Sequence, residues 1–330
     1  MTIENEMIYD PVQIRQAMEK TLRPDGGCQY TYSDAAGSIQ SVAYEPFPGA
    51  AVVQKAVHMP QFITNWRYGP KDAIAIEYCH EGRLECQVGE ECLYVAPGDI
   101  VFFRTDPNVR ILRYPGNHYH ATTINIFLNE PSPVLDIHLK MADFSIDMLS
   151  EKYLPDGRYY SVLTKTDGLK AVFEGMKHAP EQLKSMYYGV KILEAMVLMA
   201  SGVVATNDNP ARRISKHQAE MVKRVYGYIM KQPERRYTIE QLSKQFSISA
   251  TQLKNGFQIV YGIPMQKFIR EQKMIAAAKM LETTDMKVTE AAMMFGYNNT
   301  SKFADAFHSV IGESPKQYSM KYRAFNSDDI

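Results

Sequence analysis

Side chains that can hydrogen-bond the edges of DNA bases occur in two clusters near the C-terminal end of the chain. The clusters are Thr251, Lys254 and Asn255, followed by Thr300, Ser301, Lys302 and Asp305. Lysine and asparagine bond guanine and adenine, the threonine methyl contacts thymine, and aspartate accepts from the amino group of cytosine. Polar residues on a helix are usually just solvated, so this chemistry depends on the elements that position them.

Each cluster lies on the second helix of a predicted helix-turn-helix unit, and the two units repeat each other. They span about residues 239–260 and 288–311. In both units the second helix carries an apolar pair four residues apart, namely Leu253 with Phe257 and Phe303 with Phe307. Such a pair occupies one face of a helix and must be buried, which turns the polar cluster outward. Two units in register predict a protein that contacts two major-groove segments of DNA.

A long helix predicted over Pro264–Leu281 joins the two units. At 1.5 Å per residue this helix is roughly 27 Å long. Successive major-groove segments on one side of a duplex lie about 34 Å apart. The sequence therefore predicts an all-α domain over residues 217–323 that holds two recognition helices on the same side of DNA.

The net charge of zero hides an asymmetry along the chain. From Arg212 to Arg323 there are 19 Lys+Arg and 9 Asp+Glu, so this part carries +10 and the remainder −10. A basic end on an acidic body favours a polyanionic partner for that end. Candidate phosphate contacts are Arg212, Arg213, Lys216, Arg235, Arg236, Lys244 and Lys267.

The first half of the chain has the pattern of short strands separated by turns. Ala121–Phe127 is a strand-forming run, and Pro97-Gly98-Asp99 is a strong turn signal. Strand patterning continues to about residue 160. It predicts a small barrel or sandwich over residues 1–165.

Helical spacing follows over residues 166–205, and the apolar stripe there is wider than one helix needs against a small barrel. Part of the stripe is expected either to contact a second copy of the chain or to cap the barrel. Residues 206–216 are polar, contain Pro210, and are interpreted as an interdomain linker.

The C-terminal hundred residues resemble the AraC/XylS family of bacterial transcription regulators. The second unit carries the resemblance through Glu290-Ala291-Ala292, Gly296-Tyr297, Phe303, Phe307, Gly312, Ser314-Pro315 and Tyr318. Residues 274–281 resemble the linker helix of that family. Asp305 departs from the family pattern, which more often has a basic or other polar residue there, so the base preference is expected to differ.

The resemblance implies an α+β chain with three parts. These are an N-terminal cupin-like sensor barrel, a helical dimerisation segment, and a C-terminal domain with two helix-turn-helix motifs joined by a linker helix. The implied partners are double-stranded promoter DNA, RNA polymerase, a small-molecule effector and a second copy of the chain. Activation is the implied mode of regulation.

Residues 188–194 and 251–257 are similar to a subgroup of pyochelin-type siderophore regulators. This similarity implies a siderophore-like effector. Candidate effector-binding side chains in the strand region are Trp66, Tyr78, Phe102, Tyr114, His118 and His120. The aromatic members of this set are equally consistent with a packed core.

Two alternatives remain open. One is a DNA-binding regulator without an effector. The other is a metal-dependent cupin enzyme fused to a DNA-binding domain, with His118 and His120 on one strand face and His80, Cys86 and Cys92 as further ligands. The histidine pair follows a turn and lacks the neighbouring glutamate of a metal cupin, and the chain has no Gly-rich phosphate loop or nucleophile elbow. We therefore expect no metal, no cofactor and no enzymatic activity.

The start of the chain, MTIENEMIYD, has no apolar core of a secretory signal. The longest apolar stretch, Tyr188–Ala205, is interrupted by Lys191 and Glu194 and is expected to be a buried amphipathic helix. The sequence thus favours a cytoplasmic protein without membrane contact, whose four cysteines are reduced.

Overall fold

The computed structural model describes residues 18–65, 72–88, 90–104, 109–130, 132–155, 160–207 and 213–327. The chain forms two compact units. One comprises Met1–Val88 with Leu93–Arg213, and the other comprises Gly89–Cys92 with Ile214–Ile330. The division after Arg213 falls within the segment interpreted above as a linker.

The strands are β1 Glu19–Leu22, β2 Cys28–Asp34, β3 Gly37–Phe47, β4 Ala50–His58, β5 Gln61–Asn65, β6 Ala73–Gly82, β7 Leu84–Val88, β8 Glu91–Val95, β9 Ile100–Arg104, β10 Val109–Arg113, β11 Tyr119–Phe127, β12 Tyr160–Thr164, β13 Ala205–Asn207 and β14 Arg213–Ser215. The helices are α1 Pro133–Lys140, α2 Ile146–Tyr153, α3 Asp167–Met176, α4 Lys184–Ala200, α5 Lys216–Lys231, α6 Ile239–Gln245, α7 Ala250–Tyr261, α8 Met265–Thr283, α9 Val288–Met294, α10 Thr300–Ile311 and α11 Pro315–Ser327. None of the helices in the described ranges is long and apolar enough to span a membrane.

The larger sheet of the N-terminal unit is open, whereas the family resemblance implies a closed cupin-like barrel. The larger sheet has the order β1-β2-β3-β4-β11-β6-β9-β12-β13, and its neighbouring strands are antiparallel. Within the described residues no ladder joins β1 to β13, so the sheet keeps two edges. A second sheet contains β8, β7, β10 and β5 in that order. Alternation along a strand predicts a buried face but carries no information about closure, which depends on pairing between distant strands.

Two short helices, α1 and α2, interrupt the region predicted to be strands up to residue 160. Each begins at a serine whose side chain accepts a hydrogen bond from a backbone N–H inside the first turn. Ser132 accepts from Leu135 at 3.4 Å, and Ser145 accepts from Met148 at 3.2 Å. These N-caps satisfy backbone donors that a helix start would otherwise leave exposed. They are the local signal that the strand interpretation overlooked.

The main core of the N-terminal unit lies between α1–α4 and one face of the larger sheet. Tyr188 and Ile192 of α4 are fully buried there, together with Ile76 and Phe102 of the sheet. Tyr188 packs edge-on against Tyr44, with ring centroids 5.1 Å apart, and its hydroxyl accepts a hydrogen bond from Gln54 at 3.1 Å. The helical segment is therefore an integral layer of this unit.

A buried ionised network crosses the centre of the larger sheet. The Glu77 carboxylate is 1% exposed; it pairs with the Lys55 ammonium and accepts hydrogen bonds from the hydroxyls of Tyr119 at 2.6 Å and Thr123 at 2.8 Å. Burial by itself raises the pKa of Glu77. The Lys55 charge and the three hydrogen bonds outweigh burial, so the pKa of Glu77 lies below its ordinary value. The network ties β4, β6 and β11 together.

Replacing Glu77 by Gln is expected to lower the free energy of unfolding by about 1–3 kcal/mol at neutral pH, because Lys55 loses a charged partner. A carboxyl with a lowered folded-state pKa stabilises the fold above its unfolded pKa, and this contribution disappears as the pH falls through the folded-state value. The difference between wild type and Glu77→Gln in urea unfolding should thus be largest above about pH 4 and shrink below it. The exposed control Glu151→Gln should show no such gap. If the difference in unfolding free energy between wild type and Glu77→Gln stays constant down to low pH, the lowered pKa of Glu77 is contradicted.

Candidate nucleic-acid interface

The first helix-turn-helix unit consists of α6 and α7, and both helices begin with a reciprocal capping box. Thr238 accepts from the Gln241 N–H while the Gln241 side chain accepts from the Thr238 N–H, each at 3.2 Å. Ser249 and Gln252 repeat this arrangement at the start of α7. Each box satisfies two backbone donors, which fixes the entry of the chain into both helices.

The second unit consists of α9 and α10 and begins its recognition helix with a different cap. The Asn299 side chain accepts from the N–H groups of Ser301 at 2.8 Å and Lys302 at 3.2 Å. Both recognition helices end at a glycine with positive φ, Gly262 at +79° and Gly312 at +90°. Glycine adopts this left-handed conformation without a side-chain clash, so both helices end at equivalent points.

The apolar pair of α7 is buried as the sequence predicts. Leu253 and Phe257 are fully buried, and Phe257 packs against Phe268 of α8 with ring centroids 5.2 Å apart. Gly256 lies between them, and a Cβ added there would be 2.8 Å from Cγ2 of Val222 on α5. This close approach orients α7 against α5. We call α5–α7 with the first half of α8 the first subdomain, and the second half of α8 with α9–α11 the second subdomain.

The apolar pair of α10 is buried in a separate cluster. Phe303 and Phe307 are fully buried against Ala291, Ala292 and Phe295. Helix α8 supplies Met274, Ala277, Ala278 and Leu281 to the same cluster. The two recognition helices are thus anchored by equivalent pairs in two different cores.

All seven predicted base-contacting residues are exposed. These residues are Thr251, Lys254, Asn255, Thr300, Ser301, Lys302 and Asp305. The structure brings them together in two groups, one on the outward side of α7 and one on that of α10. In the described part of the chain Lys302 and Asp305 form no ion pair, so the Asp305 carboxylate is available to a donor outside the chain.

One residue of this surface was missed in the sequence analysis. His308 is exposed and lies one turn beyond Asp305 on α10. Its spacing of three residues from Asp305 is the signal that identifies it, because residues three and four apart share a helix face.

Helix α8 connects the two subdomains and contributes to both cores. Its first half buries Met265, Phe268 and Ile269, and its second half is buried in the cluster of α9 and α10. The helix has 19 residues, which corresponds to a length of about 28 Å. Lys273 near its middle is half-buried and donates to the backbone oxygen of Phe295 at 3.3 Å. Burial and the nearby charge of Arg236 lower the pKa of Lys273.

The candidate effector-binding residues of the N-terminal unit are not gathered in one place. Phe102 is fully buried in the main core, whereas Tyr114 is buried on the opposite face of the sheet beside Tyr119. Tyr78 is buried and stacks on Phe173 at 5.5 Å. Trp66 lies outside the described residues.

His118 and His120 are adjacent and partly exposed, with ring centroids 4.4 Å apart. The other proposed ligands are not part of this histidine group: Cys92 is buried, Cys86 packs in the core on the Tyr114 side of the sheet, and His80 hydrogen-bonds Thr122 at 2.8 Å.

Comparison with known proteins gives matches to the C-terminal part of the chain. Residues 242–321 match the helix-turn-helix domain family. The HTH-type transcriptional activator AarP of Providencia stuartii is 22% identical over 116 residues, which cover 35% of this chain and 86% of AarP. The melibiose operon regulatory protein of Escherichia coli K12 is 25% identical over 105 residues, which cover 32% of this chain and only 35% of that protein.

Among solved structures, a probable AraC family transcriptional regulator from Rhodopseudomonas palustris CGA009 is 28% identical. The match covers 31% of this chain and 97% of that chain, with a TM-score of 0.30. The sequence matches coincide with the part of the chain that holds the two recognition helices. Residues 242–321 are therefore a helix-turn-helix domain, and this part of the chain is similar in sequence to bacterial transcription regulators.

Proposed function

We propose that the protein is a sequence-specific transcription regulator that reads two adjacent major-groove segments of promoter DNA with α7 and α10. The observation that carries this proposal is the duplicated geometry of these helices. Each has an equivalent apolar pair buried, a polar side chain that caps its start and a positive-φ glycine at its end. Each therefore presents its polar cluster at an equivalent position.

The single helix α8 supports the proposal that both clusters contact one duplex. Because both cores include side chains of α8, the separation of the two subdomains is set by one continuous helix of about 28 Å. This length approaches the spacing of about 34 Å between neighbouring major-groove segments on one side of DNA. The net charge of +10 between Arg212 and Arg323 favours approach to the phosphate backbone.

An operator selected from random DNA with the full-length chain should contain, for each chain that binds, two conserved blocks about 10 base pairs apart. Inserting 5 base pairs between the blocks should reduce specific binding to the level of one block, because it moves the second block to the other side of the duplex. Inserting 10 base pairs should not restore binding, since α8 cannot lengthen by a helical turn of DNA. Recovery with 10 base pairs would show that the two blocks are read by different chains.

Replacing Lys254 or Lys302 by Ala should weaken operator binding by about 1–3 kcal/mol if these side chains contact base edges. The exposed Lys279 of α8 provides the control, and Lys279→Ala should leave the affinity almost unchanged. Fluorescence anisotropy on the operator and on random DNA at one salt concentration measures the effect. An equal loss on both DNAs would reassign the lysine to phosphate contact.

We further propose that the chain acts as a homodimer through α4. The buried face of this helix packs on the sheet, while its other side exposes Met186, Val190 and Val197 at 70%, 55% and 64%. Leu183 just before the helix continues this apolar stripe. Stripes of this kind on otherwise packed helices mark association surfaces, and a second copy supplies a matching apolar stripe.

The double variant Val190→Asp/Val197→Asp should convert the dimer into a monomer, because each charge would be buried without a partner in the interface. Sedimentation equilibrium measures the mass, and Lys140→Asp at an exposed position of α1 serves as the control. A wild type that is already monomeric at micromolar concentration would exclude this interface.

Ligand-responsive activation is proposed as the mode of regulation. AarP is named as an activator. The N-terminal unit is a compact unit separate from the helix-turn-helix region, and we assign effector sensing to it. RNA polymerase is the partner that activation requires. The burial of Tyr78, Phe102 and Tyr114 favours, as second candidate, a regulator in which these aromatics are structural and no effector binds among them. A ligand that raises the melting temperature of the chain and changes its operator affinity would favour the first candidate.

A further inference from the structure

A cluster of three histidines occupies one end of the larger sheet. In β11, Tyr119 pairs with Val57 and His120 pairs with Ala56 of β4, so the same register sets His118 opposite His58. On the other side of β11, His120 pairs with Glu81 of β6. Side chains directly opposite each other in an antiparallel sheet have Cβ atoms about 5 Å apart. Three neighbouring strands thus bring His58, His118, His120 and Glu81 together.

The ring nitrogens converge. Nδ1 of His118 lies 3.4 Å from Nδ1 of His58, and Nε2 of His120 lies 3.3 Å from Nε2 of His58. One nitrogen from each ring can be chosen so that all three lie within 4.8 Å of one another. Nitrogens bound to one tetrahedral zinc ion at about 2.0–2.1 Å are roughly 3.3 Å apart.

Glu81 orients two of the three rings. Its Oε2 lies 2.9 Å from Nε2 of His118 and 3.5 Å from Nδ1 of His120. The carboxylate accepts a hydrogen bond from Nε2–H of His118, which leaves the lone pair of that ring on Nδ1, and its closeness to Nδ1 of His120 favours the proton there, which leaves the lone pair of the second ring on Nε2. These are the nitrogens that face His58. Metal-binding histidines commonly have such a carboxylate partner on the far nitrogen.

We propose that His58, His118 and His120 bind a divalent first-row transition metal ion of the zinc type, with Glu81 as the positioning residue. Three imidazoles leave a fourth position for water or another ligand. The ion can enter from solvent because His58 is exposed and the Glu81 side chain is 63% exposed. All four residues lie in the N-terminal unit, so the metal site does not depend on whether α7 and α10 bind an operator. The proposal departs from the expectation of no metal stated above, and it adds His58 and Glu81 to the histidine pair that the sequence singles out.

The test is equilibrium dialysis of the reduced full-length chain against Zn²⁺. Wild type should bind one ion per chain, and His118→Ala or His120→Ala should weaken binding at least 10-fold. His178→Ala, on an exposed histidine outside the cluster, should have no effect. His58→Ala is the variant least able to disturb folding, because the side chain is exposed, and it should also weaken binding. Far-UV circular dichroism verifies that each variant is folded.

The visible spectrum of the Co²⁺-loaded chain identifies the donors. A four-coordinate nitrogen and oxygen site gives strong visible bands without thiolate charge transfer. Glu81→Gln should weaken Zn²⁺ binding while keeping the spectrum of the wild type. Binding that survives in His118→Ala/His120→Ala, or a spectrum with thiolate bands, would overturn the assignment. So would a wild-type chain that binds no ion, since the cluster would then be a hydrogen-bonded group only.

Discussion

Burial of one apolar pair in each recognition helix is the constraint on which the DNA-binding unit depends. Leu253 with Phe257 and Phe303 with Phe307 occupy interior positions, and the helix geometry then leaves no freedom in where the remaining side chains point. In the proposed DNA contact, specificity rests on packing, because the buried phenylalanines determine which polar side chains of each helix face outward. Rotating either helix by one residue position would bury lysine and expose phenylalanine, at a cost well above the free energy of a base contact.

The C-terminal unit was predictable because its signals are local. In each unit the cap (Ser249 or Asn299), the apolar pair and the closing glycine lie within 13 residues of one another, and the structure has the two recognition helices where these signals predict them. In the N-terminal unit the individual strands were visible, but their order was not. Strand pairing joins residues far apart in sequence, as with Lys55 and Glu77 or Gln54 and Tyr188. The alternation of apolar and polar residues along a strand identifies its buried face, but it does not identify the strand with which it pairs.

The histidine cluster was only partly visible in the sequence for the same reason, because its members lie on strands far apart in the chain. His118 and His120 stand out in the sequence because they are two residues apart. His58 is 60 residues from His118, and Glu81 is 37 residues away, so only the register of β4, β11 and β6 reveals that they meet. The buried pair of Lys55 and Glu77 fixes that same register a few residues further along the strands. The stability of the sheet and the geometry of the cluster are thus set by one pairing of three strands.

The shared helix α8 has a consequence for how this chain can vary. Each residue of an α-helix advances the axis by 1.5 Å and turns it by about 100°. A single residue inserted between Ile269 and Met274 would leave both cores intact yet swing the distal subdomain around the axis by more than a quarter of a circle. An insertion or deletion in α8 therefore changes the rotational position of the second recognition helix relative to the first. Loops at the surface can lose or gain residues freely, whereas this helix tolerates replacement of its exposed residues and no change in their number.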